Sequence, residues 1–170
     1  MTDAAVAHIV IRNATERDAA AITPIYNHYV LNSTITFEEQ AIPVEEMAAR
    51  IVEVYAAALP WLVAERAGQI VGYAYASKWK GRCAYRFSVE TTVYLDQGAT
   101  GHGIGTQLYA VLFERLREAG IHAVIGGVAL PNAASAALHE KCGMRKVAHF
   151  EQVGFKFDRW IDVGYWERVL

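Results

Sequence analysis

The sequence predicts a single α/β domain. Short runs rich in Val, Ile, Thr and Tyr alternate with segments whose apolar residues recur at helical spacing. Gly and Pro punctuate the boundaries between them. The chain has 170 residues, enough for one domain with a real hydrophobic core, and contains no repeat, low-complexity stretch or linker that would divide it.

Taken in order, His8 to Arg12 reads as a short strand. Thr15 is placed to cap a helix from about Glu16, with Asp18 three residues on as a partial capping box. Ala19, Ile22, Ile25, Tyr26 and Tyr29 then mark that helix's apolar face. A second helix follows Pro43, with Met47, Ile51, Val54 and Tyr55 inward. Trp61 to Glu65 and Ile70 to Ala76 read as strands joined by a hairpin turn at Ala67-Gly68-Gln69. Phe87 to Leu95 is a third strand, and Gly101 to Gly105 a glycine-rich turn.

Ile104, Leu108, Val111, Leu112, Leu116 and Ala119 then share one helix face, and Gly120 stops that helix. Val124 to Leu130 reads as a buried strand. Asn132 can cap a short helix ending at Gly143. Two strands close the chain, around Lys146 to Val153 and Trp160 to Val169.

Composition excludes several classes. Net charge is −2 and basic residues form no long block, which argues against nucleic-acid binding through phosphate contacts. No run approaches the roughly 18 apolar residues of a membrane span. The N-terminal stretch also lacks a signal peptide's basic start and apolar centre, so a soluble cytoplasmic protein is expected. Cys83 and Cys142 are the only cysteines, with no CxxC spacing, and read as incidental free thiols. His8, His28, His102, His122 and His149 are scattered and no HExxH occurs, so no metal site is expected.

Gly101-His102-Gly103-Ile104-Gly105-Thr106 sits between a strand and a helix. Such a turn presents backbone N–H groups and a helix N-terminus to an anion, with no side chains in the way. It is neither a Walker loop nor a Rossmann fingerprint. By itself it is equally a phosphate cradle or a tight strand–helix turn.

The order of elements around this turn resembles the GNAT (GCN5-related) acetyltransferases. Their pyrophosphate turn, Q/R-x-x-G-x-G/A, is similar to Thr100-Gly101-His102-Gly103-Ile104-Gly105, except that Thr100 replaces the leading Gln or Arg. The likeness narrows to the phosphinothricin N-acetyltransferase branch and covers nearly the whole chain. It is carried by Tyr26-Asn27-His28-Tyr29 with Ser33-Thr34 and Phe37, Pro60 to Glu65, and Trp79-Lys80-Gly81-Arg82 with Ala84-Tyr85. Further marks are Val89 to Tyr94, Leu130-Pro131-Asn132, Leu138-His139-Glu140, Val153-Gly154-Phe155-Lys156, Trp160 and Asp162-Val163-Gly164.

The resemblance implies a GNAT fold, with a mixed, mostly antiparallel central sheet flanked by helices. It also implies acetyl transfer from acetyl-CoA to the α-amino group of an amino-acid-like substrate such as phosphinothricin or methionine sulfoximine, often by a homodimer. Val93, Tyr94, Leu95, Gly101, His102, Gly103, Ile104, Gly105 and Thr106, with Asn132 and Ser135, are the residues it implies for acetyl-CoA. The Val93 N–H would face the acetyl carbonyl.

Acetylation requires a group that takes the amine's proton. Strand alternation puts Glu90, Thr92 and Tyr94 on one face. A carboxylate in so apolar a strand is costly unless hydrated, paired or functional. Glu90 is therefore the candidate base, a role the resemblance also gives it; the alternative is a Glu paired to a nearby cation. Asn132, Ser135 and His139 share a helix face. His139 stands where many of these enzymes carry a tyrosine that protonates the CoA thiolate; alternatively it only packs.

Lys78, Lys80, Arg82 and Arg86 cluster among Trp79 and Tyr85, a pattern suited to carboxylates and tetrahedral oxyanions or to a solvated loop. The resemblance singles out Lys80, Arg82 and Tyr85, with Phe37 as an apolar wall. Three other readings stay open: a broader amine or protein acetyltransferase, a non-catalytic acyl-CoA-binding domain, and a structural homodimer module.

Overall fold

The computed structural model describes residues 8–170. Strand β1 (Ile9–Asn13) leads through a 3-10 turn at Glu16–Asp18 into α1 (Ala19–Asn32), followed by α2 (Val44–Ala56). Then come β2 (Trp61–Arg66), β3 (Gln69–Lys78), β4 (Ser88–Leu95), α3 (Ile104–Glu118), β5 (Ala123–Leu130), α4 (Ala133–Lys141), β6 (Arg145–Lys156) and β7 (Arg159–Val169). The sheet order is β1-β2-β3-β4-β5-β7-β6. Every pairing is antiparallel except β4 with β5. No described helix is long and apolar enough to cross a membrane.

Local chemistry explains most boundaries. The Asp18 carboxylate accepts the Thr15 backbone N–H at 2.7 Å, so the expected capping contact forms, but one 3-10 turn precedes α1. Ala67 and Gly68 both have positive φ, 52° and 78°. A two-residue turn of that hand matches the twist of a hairpin, so Gln69 belongs to β3 rather than to the turn. Ile104, Leu108, Leu112 and Leu116 of α3 are buried as the spacing requires, while Val111 is half-buried at the edge of that face. β6 runs to Lys156, beyond the expected end at Val153, because β7 continues to pair with it through Gly154, Phe155 and Lys156.

α3 packs across β1–β4, and α1 and α2 pack together over β2–β4. On the α1 side, Tyr26 and Tyr29 lie against Tyr94, with ring centroids 5.3 Å apart in both pairs. Trp61 stacks on Tyr75 and Tyr73 beside them. These aromatic contacts pack α1 onto the half of the sheet that carries Glu90.

Candidate active site

The site is made by a split in the sheet. β4 pairs with β5 only at Ser88, Glu90 and the residue between them; beyond Glu90 the two strands diverge. The Asp96 N–H bonds to Val71 and the Ser88 carbonyl accepts from Trp79, so the even residues of β4 direct their backbone groups toward β3. Backbone direction alternates along a strand. The N–H of Val93 therefore points into the split, where no strand takes it. The Tyr29 hydroxyl donates to the Leu95 carbonyl, fixing α1 at the far end of the same edge.

Two cavities meet there. One, of about 420 Å³, runs from Val93, Tyr94 and Leu95 past Thr100, Gly101 and the Gly103–Thr106 turn to α4. The other, of about 330 Å³, is walled by Glu90, Phe37, Gly127, His139 and Tyr165, among others. They share Ile35, Val93, Tyr94, Asn132 and Ser135.

The first cavity suits the phosphates and pantetheine of CoA. Gly101 and Gly103 have φ of 78° and 75°, where side chains are strained, and a Cβ at either would project into open space. The turn thus leaves its N–H groups uncovered at the N-terminus of α3, where the helix dipole favours an anion. The Thr100 hydroxyl donates to the Gln97 carbonyl at 3.1 Å and so braces the turn itself. The Asn132 carboxamide caps α4 by accepting the Ser135 N–H at 3.0 Å. His102, expected with the turn, is exposed and outside both cavity walls.

Glu90 faces the second cavity. Burial pushes its carboxyl above the ordinary glutamate range, and the charge of Lys80 opposes the shift. Gly127 leaves room for it: a Cβ there would lie 3.2 Å from Glu90 Oε1 and 3.1 Å from the Tyr165 ring. His139 is 3% exposed. Its Nδ1 lies 2.7 Å from the Ser135 carbonyl, which can only accept, so Nδ1 carries the proton. Burial lowers its pKa below the ordinary histidine value, keeping the ring neutral with the Nε2 lone pair toward the Tyr109 hydroxyl at 3.4 Å.

A Cβ at Gly126 would collide with this ring. Gly126→Ala should therefore destabilise the fold by about 1–3 kcal/mol. A thermal melt checks it, and an unchanged Tm would show that His139 moves freely.

The remaining substrate candidates separate. Phe37 lines the second cavity, with Thr36 beside it. Lys80, exposed and outside both cavity walls, acts on Glu90 electrostatically, with its ammonium over the Trp79 ring. Arg82 and Tyr85 are exposed on the connection between β3 and β4, outside both cavity walls. Gly127, Tyr165, Tyr109 and Thr36 line the site without having been anticipated. The adjacent glycines inside β5 were the available signal, since glycine within a strand marks a close approach. Among the described residues no cluster of three or more His, Cys, Asp or Glu could hold a metal.

A family profile described as the acetyltransferase (GNAT) domain matches residues 11–164. A phosphinothricin N-acetyltransferase of Alcaligenes faecalis is 42% identical, over 94% of this chain and 82% of that protein. An L-methionine sulfoximine/L-methionine sulfone acetyltransferase of Salmonella typhimurium is 34% identical, over 95% of each. Among solved structures, a phosphinothricin acetyltransferase of Sinorhizobium meliloti in complex with acetyl-CoA superposes with a TM-score of 0.92. It is 36% identical, over 95% of this chain and 88% of that one.

Proposed function

Because this chain belongs to the GNAT acetyltransferase family and is an acetyl-CoA-dependent N-acetyltransferase, we propose that it acetylates the α-amino group of a free amino acid or amino-acid analogue. Phosphinothricin, methionine sulfoximine and methionine sulfone are the first candidates, on the likeness to the relatives named above. The observation that carries the reading is the position of Glu90, in a cavity of about 330 Å³ that adjoins the glycine-turn groove. A small amine fits such a space, whereas a protein chain needs an open groove.

When bound, acetyl-CoA supplies an activated thioester. Gly101, Gly103 and the α3 N-terminus receive its phosphates, while Val93, Tyr94 and Leu95 flank the pantetheine. Glu90 accepts the amine's proton, directly or through water, and its raised pKa makes it a better base than an exposed glutamate. The Val93 N–H donates to the acetyl carbonyl oxygen as negative charge gathers there. The amine nitrogen forms the amide bond, the carbon–sulfur bond breaks, and the thiolate is left to take up a proton. His139, neutral and anchored on Ser135, supports Tyr109 and the β5 backbone; it gives a proton to the thiolate only after first gaining one at Nε2. Lys80 and Arg82 attract the substrate's carboxylate, and Phe37 packs on its side chain.

The enzyme works in the cytoplasm, where acetyl-CoA is available and thiols such as Cys83 and Cys142 stay free. It acts as a homodimer, a state supported by the exposed Phe150, Phe155, Phe157 and Trp160 of the β6–β7 hairpin.

The deciding experiment is thiol release from acetyl-CoA across phosphinothricin, methionine sulfoximine, methionine sulfone, ordinary amino acids, polyamines and a peptide amine. Free amino acids or their analogues should be the best substrates. Acetyl-CoA binding without turnover on any amine would indicate a binding module, and a preference for the peptide would indicate a protein acetyltransferase.

A further inference from the structure

We propose that β6 sets the affinity for the amine substrate through Lys156 and Gly154, which hold the Thr36–Phe37 wall of the cavity in place. The inference rests on the assignment of that cavity to the amine substrate.

β6 is an edge strand, and Gly154 and Lys156 are its only buried positions. Two residues apart, they point to the same face, and both meet the segment that follows α1. A Cβ at Gly154 would collide with the outer carbons of the Phe37 ring, so glycine there lets the ring approach the strand closely. Lys156 is 1% exposed, and its Nζ donates to the carbonyls of Val30 at 2.7 Å and Thr36 at 2.8 Å.

Val30 lies in the last turn of α1, where carbonyls have no partner within the helix and the dipole favours a cation. One ammonium therefore caps α1 and fixes the start of the cavity wall, from more than a hundred residues away in sequence. Burial pushes the Lys156 ammonium below the ordinary lysine pKa, and the charges of Glu39 and Glu38 oppose the shift. A buried ammonium is expensive, and hydrophobic packing alone would be served as well by methionine. What the lysine adds is the location of two backbone carbonyls, one of them in the wall. From the other side the Tyr26 hydroxyl pairs with the Thr36 hydroxyl at 2.9 Å and donates to Glu38 at 2.7 Å. The wall should therefore loosen rather than unfold when the Lys156 contact is lost.

Lys156→Met and Gly154→Ala are the test, with methionine sulfoximine as the amine and direct titration of acetyl-CoA binding. Each should raise the KM for methionine sulfoximine by roughly tenfold, the scale of a lost buried hydrogen bond or a displaced contact. Acetyl-CoA affinity should stay within about twofold, because its groove touches neither residue. Lys156→Arg, which restores a charged donor, should recover part of the loss. An unchanged KM in either variant overturns the proposal, as does a parallel loss of acetyl-CoA affinity, which would mark general loosening. If Lys156→Met does not fold, Gly154→Ala decides alone. A wild type that acetylates another amine instead sinks only the substrate reading, and the same comparison is then made with that amine.

Discussion

Glu90→Gln should lower kcat about 100-fold at neutral pH, the usual scale for losing a general base. Burial raises the Glu90 pKa, so the carboxylate form that accepts a proton is populated only above that raised value. In the wild type the acid limb of kcat/KM should accordingly lie above the ordinary glutamate range. In the variant that limb should vanish, and much of the activity should return at high pH, where the amine is already neutral. The same shift has a stability sign. A carboxyl whose folded pKa is raised costs nothing below its unfolded pKa and destabilises the fold as pH climbs through the folded one. Glu90→Gln should therefore be at least as stable as the wild type at neutral pH, with the difference fading in acid. A pH–rate profile paired with thermal melts reads both effects; an acid limb that survives the substitution removes Glu90 from the base's role.

An amino acid should be acetylated about two- to fivefold better, in kcat/KM, than the amine left by removing its carboxylate. Lys80 and Arg82 are exposed, and an exposed charge pair is worth about 0.2–1 kcal/mol. Lys80→Ala and Arg82→Ala should each erase a large part of that preference and leave acetyl-CoA affinity nearly unchanged, since neither residue lines its groove. The two should differ in one respect. Lys80 also favours the charge on Glu90, so its loss should move the acid limb of the pH profile upward, whereas loss of Arg82 should not. Methionine sulfoximine, methionine and a carboxylate-free amine, assayed with wild type and both variants, make the comparison. If the carboxylate-free amine is the best substrate of the wild type, the amino-acid assignment is wrong.

The catalytic candidate was readable in the sequence because it depends on local patterns. Strand alternation put Glu90 on one face of Phe87 to Leu95, and helical spacing put Asn132, Ser135 and His139 together. Both groupings appear in the walls of one cavity. The glycine turn was equally local, since positive φ at Gly101 and Gly103 is a property of the backbone itself. His139 shows the limit of such reading. Spacing placed the ring, but its protonation depends on the Ser135 carbonyl and on burial.

Short-range rules thus determined, from the sequence alone, the α/β class, the order of elements, the glycine turn and the strand that carries Glu90. Periodicity, capping and turn chemistry act within a few residues and leave direct traces in the chain. Tertiary structure alone decided where β4 and β5 part, because parallel strands from distant segments leave no local mark of where their pairing stops. It also decided that Gly127 makes room for Glu90 and that Lys156 reaches back to Val30 and Thr36. The physical reason is the same in each case. A buried polar group must find a partner or hydration wherever the fold brings one, and its partner is a neighbour in space, with nothing in the intervening sequence to announce it.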